Sequence, residues 1–236
     1  MRQRGRWTTG FDADDTLWHN ERFFRLTQTR FEELLADHAD PHHLHAGLLA
    51  AERRNLGTYG FGVKGFVLSM IETAIEVTEA RVPASVIAEL IRAGQDMLDH
   101  PMELLPHARD AVMAAAALGE VVLITKGDLL HQERKLAQSG LGELFDAVEI
   151  VSDKTPATYA RIFARHGAPA ALMVGNSLKS DVIPALAAGA WGVHVPHEHV
   201  WAFESAQAPR MDPRFHEIAT LADLPALMAD LDAILS

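Results

Sequence analysis

The chain has 236 residues, 48% apolar and 22% charged, with 16 glycines and 11 prolines, a composition that excludes disorder and fibrous repeats and leaves room for one large domain or a core carrying a smaller one. Thirty-two acidic against 21 basic residues give a formal charge of −11, which repels a nucleic-acid backbone over most of the surface, so a phosphorylated ligand must meet a local positive site. With 0 cysteines, disulfides, thiolate metal sites and cysteine nucleophiles are excluded.

The basic start MRQRGR leads into no apolar stretch, and no run approaches the roughly 18 apolar residues of a membrane span. A cytoplasmic protein with no membrane or nucleic-acid partner is expected. The first strand candidate is RWTTGFD (6–12). Residues 20–100 then show helical periodicity, in Phe23, Phe24, Thr27, Phe31, Leu34 and Leu35 and later in Val67, Met70, Ile71, Ala74 and Ile75, with no convincing strand. They read as an all-helical insert with connections near 18–22 and 100–106. Within it GTYGFGVKG (57–65) carries four glycines, which predicts a loop or turn rather than the interior of an element.

From about residue 103 short apolar runs alternate with helical patterns, the rhythm of βαβ units and a parallel sheet. VVLIT (121–125) is a β-branched run of the kind buried on both faces; AVEIVS (147–152), ALMVGN (171–176) and VHVP (193–196) repeat it. Between them lie helices bracketed by Pro106 and Gly119, by Asp128 and Gly140, and by Pro156 and Gly167. His42, His43 and His45 lack the spacing that a helix-borne metal site needs.

The most informative segment is GFDADDTLW (10–18), where a strand candidate ends in Asp12 and Asp14, followed by Thr16. Loops at the carboxyl ends of parallel strands are where α/β folds place their sites, and residues i and i+2 of a strand share a face. Two such carboxylates repel unless a positive group sits beside them, and hard oxygen ligands with no soft donor indicate Mg²⁺. Taken alone, D-A-D-D-T reads equally well as an acidic turn.

The order of four motifs resembles the haloacid dehalogenase-like hydrolase superfamily over nearly the whole chain. The first, an apolar strand followed by D-x-D-x-T, is matched by Asp12, Asp14 and Thr16; the second, a Ser or Thr ending an apolar strand, by Thr125 in VVLITKGD; the third, a lysine, by Lys154 in VSDKTPATY; the fourth by GNSLKSD (175–181) with Ala185, Ala188 and Gly189 after it. The fourth departs from the phosphatase pattern, with Asn176 where an aspartate is usual and Asp181 as the remaining carboxylate. Asn176 still offers a carbonyl oxygen, so a metal site there loses a charge rather than a ligand.

The resemblance implies a Rossmann-like three-layer α/β core with a parallel sheet, formed by residues 1–19 and 101–236, and an all-α cap, residues 20–100, inserted after the first strand. It also implies a Mg²⁺-dependent phosphatase of a small phosphorylated metabolite. Asp12 is then the nucleophile, Asp14 the general acid and base, and Thr125, the backbone N–H of Lys126 and Lys154 the partners of the phosphoryl oxygens. Asp12, the backbone carbonyl of Asp14, Asn176 and Asp181 would surround the metal. On residue type alone, Thr125 is a strand-end residue and Lys154 a solvated lysine. The chain has five lysines, however, and Lys126, Lys154 and Lys179 all fall in or beside the motif segments.

Three other functions use the same scaffold: a 2-haloacid dehalogenase, a phosphomutase or phosphotransferase, and a non-catalytic binding module. Asp14 separates the first, because a departing halide needs no proton and an alkoxide does. The segment GTYGFGVKG either brings Tyr59 or Lys64 to the leaving group or serves only to connect two helices. Oligomeric state is not fixed by this reading, since Trp191 and Trp201 suit a core or an interface.

Overall fold

The computed structural model describes residues 5–199 and 201–235; the first four residues of the basic start lie outside that range. The chain divides into two compact units, one formed by residues up to Glu21, Met102–Lys126 and those from Glu133 onward, the other by Arg22–Pro101 with Gly127–Gln132.

The first unit is α/β. Strand β1 (Trp7–Phe11) precedes the helical segment; after it come α5 (Ala108–Leu118), β2 (Gly119–Lys126), α6 (Leu129–Ser139), β3 (Ala147–Val151), α7 (Pro156–His166), β4 (Ala170–Gly175), α8 (Ile183–Ala187), β5 (Trp191–His194), β6 (Phe215–Glu217) and α9 (Leu224–Ile234). The strands form one sheet in the order β3-β2-β1-β4-β5-β6, parallel at every pairing. Strand order therefore reverses at β1, with β2 and β3 on one side and β4 to β6 on the other, and the carboxyl ends of β1 and β4 frame the switch point where open α/β sheets bind ligands.

Alternation along the strands sends side chains to two cores. Trp7, Phe11, Val121, Leu123, Leu172 and Val174 meet Ala111 and Ala115 of α5 and Met228 and Leu231 of α9 on one face. Val122, Ile124 and Met173 meet Tyr159, Ile162 and Phe163 of α7 and Ala185 of α8 on the other. Helices thus cover both faces, the three-layer arrangement expected from βαβ units. Helix α7 shows the local reasons clearly: Thr155 caps it by accepting from the Thr158 N–H, Pro156 fits its first turn, and Gly167 ends it in the left-handed region.

The second unit contains α1 (Glu21–Leu34), α2 (Pro41–Tyr59), α3 (Val63–Val77) and α4 (Ala84–Asp99), around a core of Phe31, Leu35, Leu44, Leu48, Phe66, Met70 and Leu90. Two of the four glycines in GTYGFGVKG depart from the expected loop. Gly57 lies inside α2 and Gly65 inside α3, and only Gly60 and Gly62, at φ 73° and 116°, make the turn. Gly65 is needed for closeness, because a Cβ there would stand 3.0 Å from the Gly60 carbonyl oxygen; nothing in the structure explains Gly57. Beyond β5, the sixth strand and α9 extend the core past the last predicted strand.

Candidate active site

Asp12 immediately follows β1, and its N–H donates to the Val174 carbonyl at 2.9 Å, which carries the β1–β4 pairing one residue beyond the strand. The chain then turns: the N–H groups of Leu17 and Trp18 converge on the Ala13 carbonyl. Asp15 takes a positive φ of 60° at the turn. Its carboxylate accepts from the backbone N–H groups of Asn20 and Glu21, each at 2.9 Å, and that helix-start role absorbs it. This turn faces the end of β4, where Asn176 and Ser177 lead into a π-helical turn, Leu178–Val182, an irregularity common at functional sites. Asp181 sits on that turn because position 175 is glycine: a Cβ at Gly175 would stand 2.3 Å from Asp181 Oδ2.

Five of the sequence-predicted positions are joined here by hydrogen bonds. The Lys154 ammonium, delivered by the loop after β3, bonds Asp12 Oδ1 and Asp181 Oδ1 at 2.7 Å. Thr16 Oγ1 donates to Asp12 Oδ2 at 2.9 Å, lies 3.3 Å from Asn176 Oδ1, and accepts from the Asn176 N–H at 3.0 Å. Asp181 Oδ2 accepts the Ser177 N–H at 2.9 Å. Asp12, Lys154 and Asp181 are all buried. Burial, and next the Asp181 charge, push the Asp12 carboxyl up to about 7 against the pull of Lys154. Burial works against the Lys154 charge too, but Asp12 and Asp181 outweigh it and hold its pKa above the ordinary lysine range.

Asp14 stands in an adjoining network rather than in this one. Its Oδ1 accepts from the Trp18 indole Nε1 and from the Lys135 ammonium, both at 2.7 Å, and Lys135 also donates to Asn20 Oδ1 at 2.8 Å. β1 ends at Phe11, so strand alternation no longer governs Asp14, and Lys135 and Trp18 hold it where Lys154 and Thr16 hold Asp12. Thr125 is buried at the end of β2, two residues past the Phe11↔Leu123 pairing, with its hydroxyl 3.3 Å from the Lys126 carbonyl. The Lys126 ammonium is occupied by Glu204 at 2.7 Å and Ser180 at 2.8 Å. Burial opposes the charge on Glu204, yet Lys126 and Ser177 hold its pKa below the carboxylate range. Tyr59 and Lys64 belong to the helical unit; Tyr59 is exposed and Lys64 pairs with Asp128 at 2.6 Å.

Sequence reasoning missed Lys135, Trp18, Asn20 and Glu204. Trp18 lies in the D-x-D-x-T segment, four residues after Asp14. Lys135 had no comparable signal, since its partner is 121 residues away.

The donor set accommodates a hard cation. Asp12, Asp181, the Asn176 amide oxygen and the Asp14 backbone carbonyl are all oxygen donors. The two buried carboxylates share one ammonium, so with both ionised a net negative charge is left for a cation to offset. Among the described residues no cluster of three or more His, Cys, Asp or Glu side chains forms a cage, which agrees with a set of only two carboxylates.

The family model of the haloacid dehalogenase-like hydrolases matches residues 10–189, a span that holds every one of these motif positions. The chain belongs to the haloacid dehalogenase-like hydrolase family. It is similar to a family hydrolase from Xanthomonas campestris, with 45% identity over 99% of this chain and 94% of that one and a TM-score of 0.87. The fold is shared with the HAD-hydrolase YfnB of Bacillus subtilis bound to magnesium, at 18% identity, 96% and 99% coverage and a TM-score of 0.63. It is shared also with the L-2-haloacid dehalogenase of Xanthobacter autotrophicus with chloropropionic acid covalently bound, at 17% identity, 94% and 98% coverage and a TM-score of 0.60. The comparison with curated proteins finds no match. No helix among the described residues is long and apolar enough to cross a membrane.

Proposed function

We propose that this HAD-like hydrolase is a Mg²⁺-dependent phosphatase that cleaves a small phosphate monoester through an aspartyl-phosphate on Asp12. The observation that carries the reading is the pair of carboxylates separated by one residue and held in different ways, Asp12 against Lys154 and Asp14 against Lys135. Cleaving a phosphate monoester needs both a nucleophile and a proton donor for the departing oxygen, whereas expelling a halide needs only the first.

In this mechanism an Asp12 oxygen attacks phosphorus in line with the leaving oxygen. The phosphorus–oxygen bond to the leaving group breaks, and Asp14 gives its proton to the alkoxide. Water then attacks phosphorus and yields a proton to Asp14; the bond from phosphorus to Asp12 breaks, and inorganic phosphate leaves. Lys154 offsets the charge of nucleophile and phosphoryl group alike. The Thr125 hydroxyl and the Lys126 backbone N–H donate to the phosphoryl oxygens, while the Lys126 ammonium stays on Glu204. Asp12, the Asp14 carbonyl, Asn176 and Asp181 would hold Mg²⁺, whose charge neutralises the oxygens of the transferring group. A cytoplasmic location and a phosphorylated metabolite as substrate belong to the same reading.

A second reading, a 2-haloacid dehalogenase, draws on Asn176 and on the Lys154 bridge to Asp181, which supplies charge compensation without a metal. The test is hydrolysis of p-nitrophenyl phosphate with Mg²⁺ and with EDTA, beside chloride release from 2-chloropropionate. The phosphatase reading expects Mg²⁺-dependent nitrophenol release that falls by roughly 10³-fold or more in Asp12→Asn, with free phosphate as co-product. Chloride release without phosphatase activity overturns it, as does no turnover above the Asp12→Asn control, which would favour a binding module. Phosphate passed to an added alcohol in preference to water would make it a phosphotransferase. A panel of phosphorylated metabolites then ranks substrates.

A further inference from the structure

Lysine 135 is spent in a place where a solvated helix face would be expected. It lies on α6, is buried to 8% exposure, and its side chain and that of Asp14 are 11% and 23% exposed as a pair. Two donors converge on one oxygen of Asp14, the Lys135 ammonium and the Trp18 indole N–H. Lys135 is itself held by Asn20 Oδ1 at 2.8 Å, and Trp18 is fully buried. A carboxylate whose Oδ1 accepts from two buried donors cannot rotate about its terminal bond without breaking both, so these contacts fix the direction of the whole group. Ordering a lysine side chain to that degree costs rotamer entropy, and an apolar residue would fill the position without it.

We infer that Lys135 is a positioning residue for the proton-transferring carboxylate of Asp14, with Asn20 setting the reach of the ammonium. The inference rests on the phosphatase reading. It concerns the leaving-group half of the reaction: Lys135 donates to Asp14 and Asn20, whereas Lys154 serves Asp12 and Asp181.

That division makes the test specific. Protonation matters little for a good leaving group and much for a poor one, so kcat/KM is measured for p-nitrophenyl phosphate and for phenyl phosphate, with Mg²⁺, in the full-length protein. Lys135→Met is expected to lose roughly tenfold more on phenyl phosphate than on p-nitrophenyl phosphate, mainly in kcat rather than KM. Lys135→Arg should restore much of the difference. Asn20→Ala, which leaves the lysine in place, should show a smaller loss with the same bias, and it keeps the question decidable if Lys135→Met does not fold. Asp14→Asn is the reference. If it shows the bias and neither Lys135→Met nor Asn20→Ala does, Lys135 only stabilises the fold and the inference is overturned. If Asp14→Asn itself loses equally on both substrates, the assignment of Asp14 as the acid fails, and the role of Lys135 fails with it.

Discussion

The two units bury charge in opposite ways. In the α/β unit, carboxylates and ammonium groups are withdrawn from water together: Asp12 and Asp181 share Lys154, Asp14 holds Lys135, and Glu204 holds Lys126. In the helical unit the ion pairs, such as Arg92 with Glu89, lie at the surface. One of its carboxyls, Glu52, is pushed up to about 7 by burial alone. Pairing inside a core is costly to assemble, and stability alone is served as well by apolar residues. Where four such pairs gather around one end of a parallel sheet, chemistry explains them better than stability does; the half-buried Glu52 of the helical unit has no such setting.

Removing one partner should separate the units most sharply in the α/β core. Lys154→Met leaves Asp12 and Asp181 buried against each other, and a loss of about 3–5 kcal/mol is expected, read from urea unfolding followed by tryptophan fluorescence. All four tryptophans, Trp7, Trp18, Trp191 and Trp201, belong to that unit. A loss below 1 kcal/mol would mean that the bridge is dispensable and the contrast between the units unreal.

Glu52 should respond in the reverse sense. Its folded pKa lies above its unfolded value of 4.5, so the folded state holds a proton that the unfolded state releases. Stability is complete below about pH 4.5 and is lost as pH rises through about 7. Glu52→Gln should match the unaltered protein in acid and exceed it by about 3 kcal/mol at pH 8, measured by hydrogen exchange in α2. No pH-dependent difference would show that Glu52 is solvated. The smallest effect belongs to the surface: Arg92→Ala should change unfolding by less than about 0.5 kcal/mol, and a larger loss would give the helical unit an electrostatic share that its burial pattern denies.

Legibility in the sequence does not follow that divide, because the α/β unit holds both the clearest and the most hidden features. β2 was readable because VVLIT is buried on both faces, and Asp12, Thr16, Lys154, Asn176 and Asp181 were readable because their types and order are those of a known chemistry. β6 was not: Phe215–Glu217 is three residues long and pairs with β5 at the sheet edge, too short and polar for alternation to show. Glycines in GTYGFGVKG suggested a loop throughout, whereas Gly65 serves close packing within a helix. Lys135 and Glu204 were hidden for a different reason. A lysine on an amphipathic helix has the pattern of a solvated face, and only the fold brings it to a carboxylate from the far end of β1.

The most direct measurement is of the bond that the mechanism requires. The protein is mixed with p-nitrophenyl phosphate and Mg²⁺, quenched in acid during turnover, digested, and the peptide containing residues 10–18 is weighed. Phosphoryl mass on Asp12, absent from the Asp12→Asn peptide and retained for longer in Asp14→Ala, which lacks the base for hydrolysis, is the expected result. Rapid nitrophenol release with that peptide unmodified at every quench time would contradict the account.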